Sequence, residues 1–443
     1  METMAIAGLG VSGLACALEL TRQNIPFEAF EKDHRPGGLA RTETLEGFRL
    51  DYGPHIILGV PAQLRGWLDA LPDLELEVCS GRSYIALGKT LEHLVPVPFQ
   101  RHLNYLPLPT RLRLLSEFIG QTQNGRLPSN YGEFAAARCG NRIYEMFLGK
   151  YESKRLRFSL DKIPPDWTDR LEPPSLSSLL TPRWSSVWRR TNNAEGSFLY
   201  PRSGGIEALP GAIAKLLPIA SLRYSNAVVE IDARAKRLAP QSGPPVSYQY
   251  LVISLPLPEI VRMLKDPPEP VRKAAEELPY TSIYVISAGV DGPTPPWSLI
   301  RFPNSDVGFY RLSFPSQYAR NSAPPGQSLI VGEMSHHPSR YAVSPRTAVG
   351  EFRSGLKRLG LLQSGQKTVV ESIRDVRYGH VVYNHQTRAA ITVILEHLKE
   401  HSIIACGKYG VWRDMLLTHS ILSGIDAARM IGRQTGSPLA ISS

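Results

Sequence analysis

The chain has 443 residues, a formal net charge of +10 and a pI near 9.4, with 42% hydrophobic and 20% charged residues. This is the composition of an ordinary globular protein that is long enough for two domains and a large core. No apolar run reaches the roughly 18 residues that a membrane-spanning helix needs, which excludes such a span. Because a first strand is predicted almost at the first residue, we also expect no cleavable signal peptide.

The positive charge is spread along the chain, with modest clusters at residues 154–157 and 188–190. A solvated basic surface would explain it, and so would attraction of anionic small molecules such as diphosphates. Nucleic acid is the weakest explanation, because no nucleic-acid-binding motif accompanies the charge. We therefore expect no nucleic-acid partner, and the first two explanations stay open.

The four cysteines, Cys16, Cys79, Cys139 and Cys406, are scattered and form no Cys-x-x-Cys pair. Cys16 falls in a predicted helix and Cys406 in an apolar strand, which indicates buried free thiols. Free thiols persist in a reducing compartment, so the sequence predicts a cytoplasmic protein. No metal site is predicted.

The first predicted elements are a strand, a tight turn and a helix over residues 4–20. A short apolar run leads into Gly8-x-Gly10-x-x-Gly13, and an Ala/Leu-rich run follows. In this motif the first glycine permits the turn, the second lets backbone approach a pyrophosphate, and the third lets the helix pack on the strand. The helix N-terminus then presents N–H groups and a positive dipole end to the phosphates. A glycine-rich turn without a ligand is the alternative.

Three further features follow within the next forty residues or so. Residues 25–31 read as a second strand that ends in Glu31, where a dinucleotide-binding fold needs an acceptor for ribose hydroxyls. The Gly37-Gly38 doublet marks a second close backbone approach or a positive φ. Residues 48–58 then give a strand, a Gly-Pro break and His55, which would otherwise be a surface histidine in a turn.

In this order, the glycine turn, the acidic strand end, the Gly-Gly doublet and the Asp-x-Gly-x-His segment at 51–55 resemble FAD-binding flavoproteins of the glutathione-reductase type. That group includes amine oxidases, protoporphyrinogen oxidases, phytoene desaturases and UDP-galactopyranose mutases. Nicotinamide dehydrogenases share the first motif but lack the Gly-Gly continuation, so we favour FAD over NAD. The resemblance implies an α/β fold, in which a FAD-binding Rossmann domain carries a mixed helical and antiparallel-sheet substrate domain.

The resemblance also implies which residues contact the cofactor. They come from the amino-terminal motifs, from one later strand and from the last strand and helix. The set is Gly8, Gly10, Gly13, Glu31, Lys32, Gly37, Gly38, Leu39, Thr42, Val229, Gly407, Lys408 and Gly424.

Later segments alternate between helical and β-rich patterns. Helices are predicted over residues 110–120 and 130–147, the second from its apolar spacing. Strands are predicted over 227–231 and 250–256, and a last strand near 403–407 precedes a helix that we expect to begin at 423 or 424 and to end near 431. The amino end of that helix would be a second dipole facing the flavin.

These patterns predict a discontinuous domain organisation. Residues 1–80, 196–260 and 370–443 are predicted to form the FAD-binding domain. Residues 81–195 would be a mostly helical segment that covers the substrate. Residues 261–369, rich in β-pattern, would form an antiparallel sheet as the substrate floor.

Several segments are similar to UDP-galactopyranose mutases in particular, and more to the eukaryotic than to the bacterial type. They are the glycine loop at 38–42, the histidine loop at 53–57, the Val-Pro-x-Pro-Phe-Gln segment at 95–100, the segment 302–311 and the final turn at 407–413. The similarity implies that Phe99 and Gln100 border the nucleobase, that Arg311 holds the substrate diphosphate, and that His55 lies beside the flavin.

The chain departs from that family at other sugar-pocket positions. Arg301 and Asp414 occupy positions where the family has tyrosines, and His380 lies near the position of a third family tyrosine. Lys408 occupies the position of a family arginine, so a compact ammonium charge replaces a planar guanidinium that can bind in a bidentate way. Arg170 is the candidate for the family's second diphosphate-binding arginine, although its distance from the preceding Trp167 is one residue shorter than in the family. The flavin-binding motifs are kept, whereas the sugar pocket differs, so UDP-galactopyranose itself is not implied.

The resemblance implies an isomerase that interconverts pyranose and furanose forms of a nucleoside-diphosphate sugar through N5 of reduced FAD, with NAD(P)H or another donor as reductant. Its catalytic residues would be His55, Arg311, Arg170 and Arg301, and its substrate contacts Phe99, Gln100, Arg311, His380 and Asp414. Each of these could instead be an ordinary surface or ion-pairing residue. An oxidase or desaturase of the amine-oxidase or protoporphyrinogen-oxidase type is the main alternative, and a non-catalytic flavoprotein is the third. The sequence leaves the oligomeric state open.

Overall fold

The computed structural model of the protein describes residues 3–120, 127–167, 171–181, 197–319, 321–363 and 367–436. The strands within these ranges are β1 (Thr3–Ala7), β2 (Phe27–Phe30), β3 (Thr42–Leu45), β4 (Phe48–Asp51), β5 (Leu76–Ser80), β6 (Ser83–Ala86), β7 (Leu94–Pro96), β8 (Ser197–Pro201), β9 (Leu222–Arg223), β10 (Val228–Asp232), β11 (Arg237–Pro240), β12 (Val246–Ile253), β13 (Tyr280–Asp291), β14 (Leu299–Arg301), β15 (Arg311–Ser313), β16 (Gln327–His336), β17 (Val370–Val381) and β18 (Ile403–Ala405).

The α-helices of the described residues lie between these strands. They are Val11–Arg22, Ala62–Asp69, Leu108–Gly120, Tyr131–Cys139, Asn141–Ile143, Gly149–Leu156, Leu176–Leu180, Ala208–Ala214, Leu257–Met263, Glu269–Glu276, Pro345–Arg358, Thr387–Glu400, Gly407–Gly410 and Leu417–Thr435, and a π-helical turn covers Tyr144–Leu148. The first helix and β1 cover the residues for which the glycine motif predicts them.

The first sheet is parallel at its centre, in the order β18-β12-β1-β2-β9. Strands β10 and β11 extend the other end of β12 as an antiparallel meander. The side chains of β1 are almost entirely buried because helices cover both faces, which explains its continuous apolar run. This is the Rossmann-type α/β sheet that the amino-terminal motif predicts.

The last helix, Leu417–Thr435, packs along the first helix of this sheet. A Cβ on Gly424 would lie 2.0 Å from the carbonyl oxygen of Ser12, so this glycine permits close contact between the two helices. The predicted helix start at 423 or 424 is wrong, because Leu417 and its successors already form the first turns. Ser423 instead accepts the N–H of Gly407 at 3.0 Å.

The second sheet is mixed and mostly antiparallel, in the order β17-β13-β16-β15-β14-β6-β7. Its centre is a long β13–β16 ladder from Ser282 opposite His336 to Asp291 opposite Gln327. Strand β17 pairs with β13 and so belongs to this sheet, although its residues lie in the range predicted for the FAD-binding domain. Strands β6 and β7 also belong to this sheet, although they fall in the segment predicted to be helical.

The helix predicted over residues 130–147 is interrupted and then extended. Gly140 ends the first piece with a φ of 94°, and the π-helical turn leads into Gly149–Leu156. The aromatic ring of Tyr144 occupies the space above Gly149, where a Cβ would lie 2.8 Å from it. Because π-turns insert a residue into the helix, the turn changes which face of the last piece meets the second sheet.

The carboxyl end of that last helical piece is bonded to the second sheet. Lys154 is buried, and its Nζ donates to the carbonyl oxygens of Phe302 at 3.1 Å and Asn304 at 2.6 Å. The hydroxyl of Ser335 donates to the carbonyl oxygen of Arg155 at 2.5 Å. These contacts hold the guanidinium of Arg155 at one end of the sheet.

Candidate active site

The turn between β1 and the first helix has the features of a pyrophosphate cradle. Among the described residues, no side chain caps this helix, and its first turn carries no acidic residue. A Cβ on Gly10 would come no closer than 4.0 Å to a described neighbour, whereas a Cβ on Gly13 would lie 2.0 Å from the carbonyl oxygen of Gly8. Gly10 therefore borders open space and Gly13 serves packing. The buried first-turn N–H groups suit a phosphate acceptor.

Glu31 and the glycine doublet are built into the same turn. One carboxylate oxygen of Glu31 accepts the N–H of Leu9 at 2.8 Å, and the other accepts the N–H of Asp33 at 3.1 Å. The N–H of Gly37 donates to the carbonyl oxygen of Leu9 at 2.8 Å, and Gly38 has a φ of 58°. A carboxylate that retains free lone pairs beside an open turn fits the ribose and pyrophosphate of a dinucleotide. Lys32, next to Glu31, is exposed, and Leu39 is half-buried.

The other residues predicted to contact the cofactor lie on several elements. The hydroxyl of Thr42 donates to Asp51 at 2.6 Å and accepts the N–H of Glu207 at 3.1 Å, so it joins three segments. Val229 lies at a register shift between β10 and β11, and 53% of its side chain is exposed. Gly407 has a φ of 75° and faces Ser12 of the first helix. Their cofactor contacts stay predictions.

A cavity of about 1960 Å³ lies where the second sheet faces the His55 loop and residues 408–417. It brings together predicted residues that are far apart in the sequence. Those that line it are His55, Arg301, Arg311, His380, Lys408 and Asp414. We call this cavity the chamber.

Three of the predicted catalytic and substrate-contacting residues are not among the chamber's described lining. Phe99 is buried against Phe147, with 5.4 Å between ring centroids, and Gln100 is buried beside it. Their neighbours Pro98 and Arg101 do line the chamber. Arg170 lies outside the described residues.

Six cationic side chains line the chamber: the exposed Arg82 and Arg101, and four that are less exposed, Arg155, Arg301, Arg311 and Lys408. Three of these four are paired with carboxylates. Arg311 is bonded to Glu333, Arg155 donates to Glu152 at 2.6 Å, and Lys408 Nζ lies 3.1 Å from Asp414. The fourth is Arg301, whose Nη1 is buried without a hydrogen-bond partner among the described residues.

Two of these cations are neighbours on adjacent strands. Arg301 of β14 is directly opposite Arg311 of β15, and Arg311 is directly opposite Glu333 of β16. Directly opposite side chains share one face of a sheet, and like charges there repel. The two guanidiniums therefore face the chamber side by side, an arrangement that an anion between them would stabilise.

Burial acts on both guanidiniums but with different outcomes. Burial lowers the pKa of Arg301, and the positive charge of Arg311 lowers it further, against the opposing effect of Tyr151. Burial also acts to lower the pKa of Arg311, but Glu333 and Tyr310 outweigh it and the pKa is raised. Arg301 is partly buried and has an unpartnered Nη1, which makes the chamber a site for anionic groups.

Burial lowers the pKa of two of the three histidines that line the chamber, His55 and His380. Burial lowers the pKa of His55, whose Nδ1 lies 3.1 Å from the carbonyl oxygen of Gly53. Burial and then Arg155 lower the pKa of His380 well below its ordinary value. Because Arg155 only donates, His380 Nδ1 accepts at 3.5 Å, and Nε2–H faces the hydroxyl of Tyr310 at 3.1 Å.

We expect the stability of the protein to depend on pH through His380. Its folded-state pKa lies below the unfolded value near ~6.5, so the unfolded chain binds the proton more readily. The free energy of unfolding should therefore fall as pH drops below ~6.5 and show no such change above it. In urea unfolding at pH 7.5 and ~5.5, His380→Gln should lose less stability than the unmodified protein. The exposed His93→Gln is the control, and equal losses in all three proteins would contradict the prediction.

Most of the chain matches one known protein family. The sequence model of the family described as "Flavin containing amine oxidoreductase" matches residues 11–383. The chain belongs to this family. Membership confirms the flavoprotein class that the glycine motifs and the Asp-x-Gly-x-His segment indicate, and the pyrophosphate cradle fits FAD as the family's cofactor.

Several curated relatives with matching sequence are carotenoid desaturases. A zeta-carotene-forming phytoene desaturase of Myxococcus xanthus is 24% identical over 310 residues, which are 63% of this chain and 58% of that protein. A 1-hydroxycarotenoid 3,4-desaturase of Flavobacterium sp. (strain P99-3) is 32% identical over 77 residues, 17% of this chain and 16% of that one. The chain thus matches less than two thirds of the length of these relatives.

Solved structures of flavoproteins share the fold along nearly the whole chain. A reduced UDP-galactopyranose mutase has a TM-score of 0.88 at 24% identity, over 98% of this chain and 96% of that one. A cyclohexylamine oxidase from Brevibacterium oxydans IH-35A has a TM-score of 0.67 at 14% identity, over 98% and 99%. At these identities the likeness shows a common fold. The predicted α/β flavoprotein fold is confirmed.

The described part of the chain contains no helix with the length and apolarity that crossing a bilayer requires.

Sequence reasoning missed several side chains of the chamber. Arg155 lies in the basic cluster at 154–157, for which the sequence left open a solvated surface or attraction of anions without naming a site residue. It lines the chamber, whereas its neighbour Lys154 is buried elsewhere. Asn104 and Ser313 also line it, and their Oδ1 and Oγ atoms are buried with no partner in the described structure. The one signal for Arg155 was its place three residues after Glu152 on a helix.

Proposed function

We propose that this flavoprotein interconverts the pyranose and furanose forms of a nucleoside-diphosphate sugar, the reaction that the resemblance of its sequence motifs to UDP-galactopyranose mutases implies. A reduced UDP-galactopyranose mutase shares its fold. The observation that supports it best is the pairing of Arg301 with Arg311 on one face of the second sheet, inside the chamber. A diphosphate is a ligand that two adjacent guanidiniums bind well, because each can form two parallel charge-assisted hydrogen bonds.

The roles of the two arginines differ. Glu333 fixes the guanidinium of Arg311, so Arg311 is the pre-organised half of the clamp. Arg301 has a buried, unpartnered Nη1 and gains most from the anion. Arg155 and Lys408 add positive charge around the same space, each beside its own carboxylate. Together they neutralise a departing diphosphate.

The remaining chamber residues would control protons and water. When bound and reduced, FAD supplies a nucleophilic N5. His55 Nδ1 donates to the carbonyl oxygen of Gly53, so its Nε2 is left as an acceptor for a sugar hydroxyl. Both ring nitrogens of His380, in contrast, already face Arg155 and Tyr310. Burial lowers the pKa of both rings, which disfavours added positive charge there. Asn104 Oδ1 and Ser313 Oγ offer further unused hydrogen-bonding capacity. These groups suit a polar, uncharged sugar beside a charged diphosphate.

Turnover of the reduced protein tests this function. The holoprotein, reduced anaerobically with dithionite or NAD(P)H, is incubated with UDP-galactopyranose and a panel of other nucleoside-diphosphate hexoses. We expect conversion to the furanose isomer, separated by chromatography, only after reduction and without net consumption of reductant. Reduction of the oxidised flavin by a substrate, with hydrogen peroxide formed in air, would contradict the proposal.

A desaturase or oxidase is the second candidate, favoured by the sequence match to carotenoid desaturases over 310 residues. A carotene is a hydrocarbon and would bury the guanidiniums of Arg301 and Arg311 without an acceptor, which is costly. The positive charges of the chamber therefore disfavour a carotene as the substrate. Bleaching of the oxidised flavin by a carotenoid, an amine or a porphyrinogen would support this candidate over the mutase.

A further inference from the structure

A cluster of metal-ligating side chains lies outside the chamber. His397, Glu400 and His401 end the helix Thr387–Glu400 and follow one another at i, i+3 and i+4, so they share one helix face. One ligand atom from each, an imidazole nitrogen or a carboxylate oxygen, lies within 4.8 Å of the others. The two imidazole rings are 4.6 Å apart between centroids. None of the three is among the described residues that line the chamber.

The cluster is already oriented for a cation. His401 Nδ1 lies 2.9 Å from the carbonyl oxygen of His397, and a carbonyl only accepts, so Nδ1 carries the proton. This leaves Nε2 of His401 as the free ligand atom, with its ring fixed by the backbone. The site also lies at the carboxyl end of a helix, where the dipole favours positive charge. Both histidines are partly exposed and Glu400 is exposed, so solvent ions can reach them.

We propose that His397, Glu400 and His401 form a binding site for a divalent transition-metal ion of the zinc class. Two imidazoles and one carboxylate are a ligand set that zinc accepts, with water as the fourth ligand. Alkaline-earth ions are poor candidates, because they prefer oxygen ligands alone. Arg234 is a positive charge close enough to act on His397, and it opposes the ion.

The site's position indicates what the ion would do. After this helix the chain runs through β18 and reaches Gly407 and Lys408 within eight residues of Glu400. A metal held by the last turn of the helix and by His401 would restrain the start of that segment. Binding to the folded state alone also stabilises it by mass action.

Titration of the untagged full-length holoprotein with zinc chloride tests the site. We expect one equivalent of zinc to bind with micromolar affinity and to raise Tm. His397→Gln and His401→Gln should each weaken this binding by about tenfold or more, and Arg234→Gln should tighten it. The exposed His93→Gln is the matched control and should bind zinc as the unmodified protein does.

Cobalt(II) gives a second readout that does not depend on stability. Binding at this site should produce a visible d–d spectrum at one equivalent, and His397→Gln/His401→Gln should abolish it. The proposal is overturned if that double variant binds zinc and cobalt as tightly as the unmodified protein. Because the site is outside the chamber, this result is independent of whether the protein isomerises a nucleotide sugar.

Discussion

Arg311→Ala is expected to weaken the binding of a nucleoside diphosphate by about 2–4 kcal/mol, roughly 30- to 1,000-fold in Kd. The guanidinium lies in the chamber opposite Arg301 and is held by Glu333, so its position is fixed before the ligand arrives. Its removal takes away charge-assisted hydrogen bonds in a site that is partly closed to water. Calorimetric titration of the oxidised holoprotein with UDP measures the change without requiring turnover.

Folding must be separated from binding in this experiment. Arg311→Ala leaves the carboxylate of Glu333, which is 2% exposed, without its cation, and breaking such a pair costs about 3–5 kcal/mol of stability. Arg311→Met/Glu333→Gln removes both charges and should fold better than the single variant while binding UDP as weakly. Arg301→Met should also weaken binding, with little loss of stability, since Arg301 has no carboxylate partner in the described structure. Unchanged UDP affinity in these variants would end the diphosphate role.

The cofactor cradle could be predicted from the sequence because its parts are close together along the chain. The residues from Thr3 to Gly38 form a strand, a turn, a helix, a second strand and a loop, and each step has a strong local signature. Gly10 and Glu31 are predicted to contact the cofactor directly, since one must lack a side chain and the other must accept hydrogen bonds. Local chemistry of this kind does not depend on distant parts of the fold.

The chamber could be predicted only in part, because its geometry depends on strand register. Arg311 and Arg301 were found through positions shared with a family, but their side-by-side pairing and the contact of Arg311 with Glu333 follow from the alignment of β14, β15 and β16. A shift of one residue would turn these side chains to the other face. The sequence contains no local signal that decides such a register between distant strands.

Arg155 and the ends of the helices were missed for a different reason. The π-helical turn at Tyr144–Leu148 lies within a segment whose apolar spacing predicts a plain helix, and periodicity does not show an inserted residue. The start of the last helix was placed at Ser423-Gly424 because those residues are typical of helix ends. They serve instead to bond Gly407 and to admit the first helix.

Gly10→Val is expected to abolish retention of FAD while leaving the protein folded. Gly10 has a φ of −67°, which any residue adopts, and a Cβ there would stay about 4.0 Å from Gly38, its nearest described neighbour. The added methyl groups would occupy the space in front of the helix N-terminus, where the pyrophosphate would bind. The absorbance of purified protein at the flavin bands measures the cofactor, and circular dichroism measures the fold.

Two other glycines make this result specific to the cradle. A Cβ on Gly13 would lie 2.0 Å from the carbonyl oxygen of Gly8, so Gly13→Ala should lose fold and cofactor together, because strand and helix are forced apart. Gly66 lies on a surface helix with no described atom within 4 Å of its would-be Cβ, so Gly66→Ala should keep both. Only Gly10→Val should separate the two, giving a folded, colourless protein that added FAD does not restore. A yellow Gly10→Val protein would mean that the turn does not hold the pyrophosphate.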